Sequence, residues 1–283
     1  MKDGQQLCCV ECYGFLDSNL RCERCGATYE RAATGAPVLM SPQDREKFGV
    51  LLGRDTGVQM QAEYSRRKTR DWTRKLYPPL PVYVNPAAPP LPVGGPGVNL
   101  WIGGAGLELP GFINVDVAPV PGVDIVANAS RLPFPEKSCD SIACPALLEH
   151  VADPERVVSE MHRVLKARGE VRLVAPFCHP YHAYPADYSR FSQERLAILF
   201  LNFADVEIGI HTGPTTTMLT FLTYYLKLFF PVHGGRAARR TLNRLIVGAT
   251  GWAMLPLKYL DVWLNRLPSA HVLANHLYVI ARR

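Results

Sequence analysis

Apolar residues in the middle of the chain come in short continuous runs, each cut off by glycine, proline or an acid. Val98–Ile102 ends in Gly103, Gly104 and Gly106, and a second run ends at Asp116. Continuous runs of this length predict parallel strands buried on both faces. Val123–Ala127, Cys139–Cys144 and Glu170–Pro176 read as further strands of the same kind. Between the last two, Asp153–Lys166 places Val157, Val158, Met161, Val164 and Leu165 on one helical face, with Asp153 as cap, Pro154 at the first position and Gly169 as the stop. Strand, loop, strand, helix, strand at this spacing predicts an α/β fold with a doubly wound parallel sheet. Phe203–Ile210 and Asn275–Ile280 alternate apolar and polar residues as half-buried strands do.

Before the first run the pattern changes. Ser41–Tyr77 is polar and charged, with Ser41-Pro42 as a helix start and Arg66-Arg67-Lys68 on a solvated face, although such a basic run also suits nucleic acid. Pro78–Gly97 holds eight prolines in twenty residues and reads as an extended, semi-rigid linker or a strap over the sheet. The expected division is a small module at 1–40, a helical segment and linker at 41–97, and the main domain at 98–283, with a helical insertion at 211–270.

The glycine turn ahead of Asp116 is the first candidate for chemistry. Glycines let the backbone approach a ligand at the carboxyl end of a strand, and an acid ending the next strand accepts from a ribose. A dinucleotide site fits poorly, because Leu109 stands where a third glycine belongs and Asp116 follows too soon. A plain tight turn is the competing reading.

Five of the eight cysteines lie in the first 25 residues, as Cys9-x2-Cys12 and Cys22-x2-Cys25, with Cys8 beside them. Two such knuckles predict a closed four-thiolate structural zinc site, with disulfides as the alternative. Cys139, Cys144 and Cys178 stand in apolar surroundings, where free thiols are common. The opening Met-Lys-Asp-Gly-Gln-Gln carries no secretory pattern, which points to the cytoplasm. Net charge is +6 over 283 residues, yet 211–283 holds nine Lys or Arg against the single acid Asp261. Met218–Val232 is nearly all apolar, and Leu242–Leu267 is apolar with Trp252, Tyr259 and Trp263. Arg236, Arg239, Arg240 and Arg244 lie between these stretches. Fifteen residues are too few to cross a bilayer, which takes about 20. Apolar and basic helices with tryptophans instead suggest peripheral contact with the inner membrane face through 218–267, with a cap on the sheet or a dimer contact as the alternative.

Residues 7–40, with Gly26 and Tyr29 after the last knuckle and the ending Gly35-Ala36-Pro37-Val38-Leu39, resemble zinc ribbons of the Trm112 type, which accompany methyltransferases. Leu132-Pro133-Phe134 with Asp140, Leu148-Glu149-His150-Val151, and Arg163-Val164-Leu165-Lys166 with Gly169 resemble successive motifs of class I S-adenosylmethionine-dependent methyltransferases of the methyltransferase 11 type. That resemblance implies a Rossmann-like methyltransferase sheet with S-adenosylmethionine as cofactor. It implies Gly103, Gly104 and Gly106 against the methionine and ribose, and Asp116 on the ribose hydroxyls. It further implies Asn128, Ala129 and Ser130 at the adenine, and Leu148, Glu149 and His150 on the methyl side. Trp101 replaces an expected acid, Asn128 an expected Asp, and Lys166-Ala167-Arg168-Gly169 an expected Lys-Pro-Gly-Gly.

Pro176–Phe191 follows directly on a strand and gathers two histidines, an acid, an arginine and several aromatics. It resembles the proline, histidine and Asp-x-x-Arg loop of some bacterial methyltransferases of this type. His182 is the candidate base, Asp187 its orienting partner, and Arg190 the group that binds a polar acceptor; alternatively Asp187 and Arg190 pair to brace the loop. A zinc site from His179, His182 and Asp187 is also compatible in residue type. The expected activity is methyl transfer to a lipid-linked or glycan intermediate at the membrane face. The alternatives are an RNA methyltransferase and a catalytically silent adaptor of the same fold.

Overall fold

The computed structural model describes residues 6–53, 82–90, 92, 94–107, 109–183, 186–229, 248–249 and 251–283. Arg66-Arg67-Lys68, Tyr184 and the arginines at 236, 239, 240 and 244 lie outside them. The parallel strands are β3 (Asn99–Ile102), β4 (Ile113–Asp116), β5 (Ile125–Ala127), β6 (Cys139–Pro145) and β7 (Leu165–Pro176). All residues of β3, β4 and β5 are buried, the polar Asn99, Asn114 and Asp116 among them, as strands covered on both faces require. Two antiparallel strands, β8 (Ala204–Thr212) and β9 (His276–Arg282), complete one side of the sheet, β9 lying between β7 and β8.

The strand order across this part is β5-β4-β3-β6-β7-β9-β8. The chain therefore steps from β3 outward to β5, then returns to β6 on the other side of β3. Such a reversal opens a crevice at the carboxyl ends of β3 and β6, where open α/β sheets bind ligands.

Helix α2 (Pro154–Val164) starts at Asp153, whose side chain accepts from the Arg156 N–H, and buries Val157, Val158, Met161 and Val164. The sequence predicts this helix to reach Lys166 and the strand to begin at Glu170. Instead β7 begins at Leu165, which pairs with Cys139 before a register shift, and Arg168 takes a positive φ of 64°. Lys166 then reaches both carboxylate oxygens of Asp140 at 2.8 Å.

The cysteine-rich module is joined to this sheet. Its strands β1 (Glu30–Arg31) and β2 (Pro37–Leu39) extend the order, with β2 parallel to β5 through Val38 opposite Val126. The Cys8 N–H donates to the Pro133 carbonyl at 2.9 Å. Glu160 and Arg163 of α2 secure the same boundary. Arg163 donates to Glu160 and to the Leu132 and Phe134 carbonyls, its guanidinium lies 4.4 Å from the Tyr13 ring centre, and Glu160 accepts from the Leu132 N–H and the Tyr13 hydroxyl. Arg163→Ala is expected to cost about 3 kcal/mol in urea unfolding, because it strands a largely buried carboxylate and two carbonyls. A cost below about 1 kcal/mol would show that water replaces the guanidinium freely.

Between β8 and β9 the described part of the insertion includes α4 (Pro214–Phe229), helical residues at 248–249 and 251–254, a short helix α5 (Asp261–Leu264) and flanking 3-10 turns; α3 (Gln193–Leu199) precedes β8. Asp261 is fully buried and accepts from the N–H groups of Thr215 and Thr216 and from the Thr216 hydroxyl. A carboxylate on the first amides of α4 satisfies orphan donors and complements the helix dipole. Those bonds tie the start of α4 to α5.

Candidate functional site

Gly103 follows β3 with a φ of 77°, a conformation that favours glycine, and a Cβ there would meet the Leu147 side chain at 3.1 Å. At Gly104 a Cβ would lie 2.0 Å from the Trp101 ring and 2.5 Å from the Asn114 side-chain oxygen. The turn is thus drawn tightly over Trp101. Asp116, at the end of β4, anchors it: one carboxylate oxygen accepts from the Ala105 N–H at 2.8 Å and the other from the Ala118 N–H at 2.9 Å. Burial raises the Asp116 pKa, and the N–H groups of Ala118, Ala105 and Val117 oppose that shift.

The turn forms one wall of a cavity of about 590 Å³ at the carboxyl ends of β3, β4, β5 and β6. Gly103, Gly104, Asp116, Asn128, Ala129, Ser130, His150 and His182 line it, with Trp101, Ala105, Leu107 and Leu147. This volume suits a nucleoside-sized ligand. Gly106 is buried behind the turn and does not line the cavity.

On the methyl side two further placements differ from the sequence expectation. Leu148 opens a 3-10 turn, Leu148–His150, and points into the core, so Leu147 stands at the wall instead. Glu149 is fully buried beneath the wall, with only its neighbour His150 reaching the cavity. A three-residue turn presents alternate sides, which an apolar Leu-Leu pair does not reveal in sequence.

The far wall comes from a segment that reads in sequence as solvated. Helix α1 (Pro42–Gly53) sets Lys47 and Phe48 on the cavity, and the Asp44 carboxylate accepts from the Asn128 side-chain amide at 2.9 Å. Ser41 caps this helix, accepting from the Asp44 N–H. The side-chain oxygen of Asn128 accepts from the Ser130 N–H and shapes the turn beside the cavity. Phe48 amid charged residues is the one sequence signal for this contact.

On the opposite side lies the loop after β7. Arg190 donates to both Asp187 oxygens and to the His179, Pro180 and Ser189 carbonyls, while Asp187 accepts the His182 N–H at 2.7 Å. The Arg190 guanidinium holds the Asp187 carboxyl down at about 2. This pair braces the loop, and neither residue lines the cavity. The His182 Nδ1 lies 3.1 Å from the Pro180 carbonyl and its Nε2 lies 3.7 Å from Glu149 Oε1. Contact with Glu149 raises the His182 pKa against the effect of burial. His179 meets the His182 ring at 4.4 Å between centres, and burial lowers its pKa.

The sulfurs of Cys9, Cys12, Cys22 and Cys25 lie within 4.8 Å of one another, with Cys9 to Cys25 at 3.6 Å and Cys12 to Cys22 at 3.5 Å. A tetrahedral zinc with Zn–S bonds of about 2.3 Å needs sulfurs about 3.8 Å apart. N–H groups of Glu11, Arg24 and Cys25 point at the Cys9 and Cys22 sulfurs, as thiolates require. The donor set fits a closed four-thiolate metal site. Cys8 is buried nearby, and burial pushes its thiol up to about 11.

Residues 113–173, from β4 through most of β7, match the family model described as a methyltransferase domain. Among curated relatives, a demethylmenaquinone methyltransferase of Renibacterium salmoninarum is 35% identical over 25% of this chain and 30% of its own length. A phosphatidylethanolamine N-methyltransferase of Cereibacter sphaeroides is 44% identical over 18% of this chain and 25% of its own. The alignments thus span less than a third of either relative. Among solved structures, a phosphoethanolamine N-methyltransferase 2 of Haemonchus contortus aligns with a TM-score of 0.41 at 15% identity, covering 68% of this chain and 50% of that one.

Proposed function

We propose that this chain is a class I S-adenosylmethionine-dependent methyltransferase. The observation that carries the reading is the coincidence of the matched segment, 113–173, with the strands and turns behind the cavity. Asp116 would take the ribose, the turn at Gly103 and Gly104 the methionine end, and Asn128 with Ala129 and Ser130 the adenine. Supplying a methyl group on a sulfonium is the cofactor's chemistry. The protein holds the acceptor in line with that methyl, which is chiefly a matter of positioning. His182 and His150 stand at the acceptor side. Asp187 and Arg190 are positioning residues, because they fix the loop that carries His182.

We further propose that the N-terminal module is a Trm112-like ribbon holding one structural zinc on Cys9, Cys12, Cys22 and Cys25. For the acceptor, the proposed class is lipid-linked. Two observations support it. The matched relatives are named for a quinone and a phospholipid acceptor. The insertion also exposes a band of large apolar side chains, including Phe221, Leu228 (77% exposed), Trp263 (67% exposed) and Leu267. An exposed band of this kind marks an interaction surface and suits the plane of a membrane interface. Among the described residues no helix is long and apolar enough to cross a membrane.

The test is to incubate the purified protein and methyl-labelled S-adenosylmethionine with a total cell extract, then separate lipid, RNA and protein fractions. Label in the lipid fraction is the expected result. Label confined to RNA would make this an RNA methyltransferase, and no label in any fraction would favour the silent adaptor. In parallel, the protein should float with anionic liposomes, whereas Phe221→Asp with Leu228→Asp should not.

A further inference from the structure

Beneath the acceptor side of the cavity, a buried carboxylate and two imidazoles converge with no hydrogen bond among them. Glu149 is fully buried, and neither of its carboxylate oxygens has a hydrogen-bond partner among the described residues. The Nε2 atoms of His150 and His182 both lie 3.7 Å from Glu149 Oε1, too far for a hydrogen bond. Each ring is oriented by a carbonyl at its other nitrogen: Ala186 at 2.6 Å for His150 Nδ1 and Pro180 at 3.1 Å for His182 Nδ1. A carbonyl only accepts, so each ring carries a proton on Nδ1, and in its neutral form each turns the Nε2 lone pair toward the carboxylate. This is the outer-shell arrangement that sets metal-ligating histidines.

Apart from the two rings, no group among the described residues donates a hydrogen bond to the carboxylate. His179 meets the His182 ring edge-on and His276 in turn meets His179; burial lowers the pKa of both, that of His276 to about 3. Arg190 spends its donors on Asp187 and on backbone carbonyls, with a long contact to His182 Nδ1 at 3.4 Å. A buried carboxylate without donor or partner is costly, and a cation coordinated by the three groups relieves that cost.

The geometry points to a second metal site, in which Glu149, His150 and His182 bind a divalent first-row transition-metal ion beside the cavity. Their ligand atoms all lie within 4.8 Å of one another, so small ring movements reach the bond lengths of about 2.0–2.2 Å that nitrogen and carboxylate ligands make to zinc. Two imidazoles and one carboxylate leave coordination positions open, as in catalytic zinc and non-haem iron sites. His150 and His182 face the cavity, so those positions are accessible from it. The role of the ion rests on the methyl-transfer reading: it would hold an oxygen of the acceptor near the methyl group. Its binding does not depend on that reading. The site is separate from the four cysteines, which have no open position.

The experiment compares metal content in the full-length protein and in Glu149→Gln, both saturated with Zn2+, or with Fe2+ under anaerobic conditions, then freed of loose metal. The wild type is expected to hold one equivalent more than Glu149→Gln. His182→Gln, in the more exposed loop, should lose the same equivalent. Thermal melting supplies the second readout. With the four-cysteine site already loaded with zinc in every sample, further metal at about a hundred times its Kd should raise the wild-type Tm by about 5 °C and leave that of Glu149→Gln unchanged. Without added metal, Glu149→Gln should melt at or above the wild type, since it replaces an uncompensated buried charge with a neutral amide. Equal metal content in wild type and both variants would overturn the proposal, as would a metal-induced Tm rise that survives Glu149→Gln. Calorimetry with S-adenosylmethionine on the same samples tests the methyltransferase reading separately.

Discussion

Asp116→Ala is expected to abolish measurable binding of S-adenosylmethionine while leaving the protein folded. The carboxylate does two things at one point. It receives the Ala105 and Ala118 N–H groups and so holds the glycine turn in place, and it lines the cavity, where in the proposed reading it would accept from the ribose hydroxyls. Hydrogen bonds to a charged group contribute about 1.5–3 kcal/mol each. Losing two of them, together with the anchor of the turn, amounts to a factor of about a thousand in Kd or more. Asp116→Asn should fare little better, since an amide nitrogen would then oppose one of the two N–H donors. Stability should move the other way. Burial raises the Asp116 pKa in the folded state, so the ionised group opposes folding at neutral pH and this opposition fades as pH falls through the folded-state pKa. Removing the charge should therefore leave Tm close to the wild-type value, and calorimetry with a melting curve on one sample checks both halves. A variant that binds normally would remove Asp116 from the site.

Breaking the cysteine cluster is expected to have the largest effect on stability, and to reach the cavity as well. Metal binding to a four-thiolate site carries about 10–16 kcal/mol of free energy in peptides, and in so small a module that is folding free energy. Cys22→Ser should therefore unfold the module. The loss would not stop there. β2 covers the edge of β5, and α1, which follows β2 directly, contributes Lys47, Phe48 and the Asp44 contact to Asn128. Without the module the β5 edge is exposed to intermolecular pairing. Cofactor affinity is expected to fall about tenfold or more even where the main domain stays folded. Strong chelation of the wild type should reproduce both effects, and zinc should reverse them. A chelated protein with unchanged melting and unchanged affinity would show that the cluster is incidental to the cavity.

The fold was largely readable before the structure because its strands are buried on both faces. Val98–Ile102 and Val123–Ala127 are apolar except for Asn99 and Asp124, and a parallel sheet with both faces covered makes such runs stable. Helix α2 was equally plain, since Asp153, Pro154 and the apolar stripe from Val157 to Val164 encode a cap, a start and a buried face. Its end was misplaced by one or two residues, because the pairing of Leu165 with Cys139 is a long-range contact that local propensity does not register. The larger surprise is the module's position. Pro37–Leu39 reads as the tail of a ribbon, yet it pairs with β5 across nearly ninety residues of chain. Nothing local in three residues specifies a partner so distant.

The site divides along the same line. The glycine turn and Asp116 were visible because backbone geometry demands those residue types at those places. The α1 wall was not, since Asp44, Lys47 and Phe48 in a charged segment look like any solvated helix until the cavity is seen against them. Leu147 and Leu148 exchange roles because a 3-10 turn, unlike a helix or strand, has no period that sequence can display. Asp187 and Arg190 stand three residues apart, a spacing equally suited to bracing a loop or holding a ligand, and their hydrogen bonds are committed to the loop. The unpartnered carboxylate of Glu149 is a property of the fold alone.

The central claim is that the cavity between β3 and β6 is built for S-adenosylmethionine, and calorimetric titration of the purified, zinc-loaded protein tests it most directly. The expected result is saturable binding of one equivalent per chain, lost in Asp116→Ala. A folded wild-type protein that takes up no S-adenosylmethionine would contradict the claim.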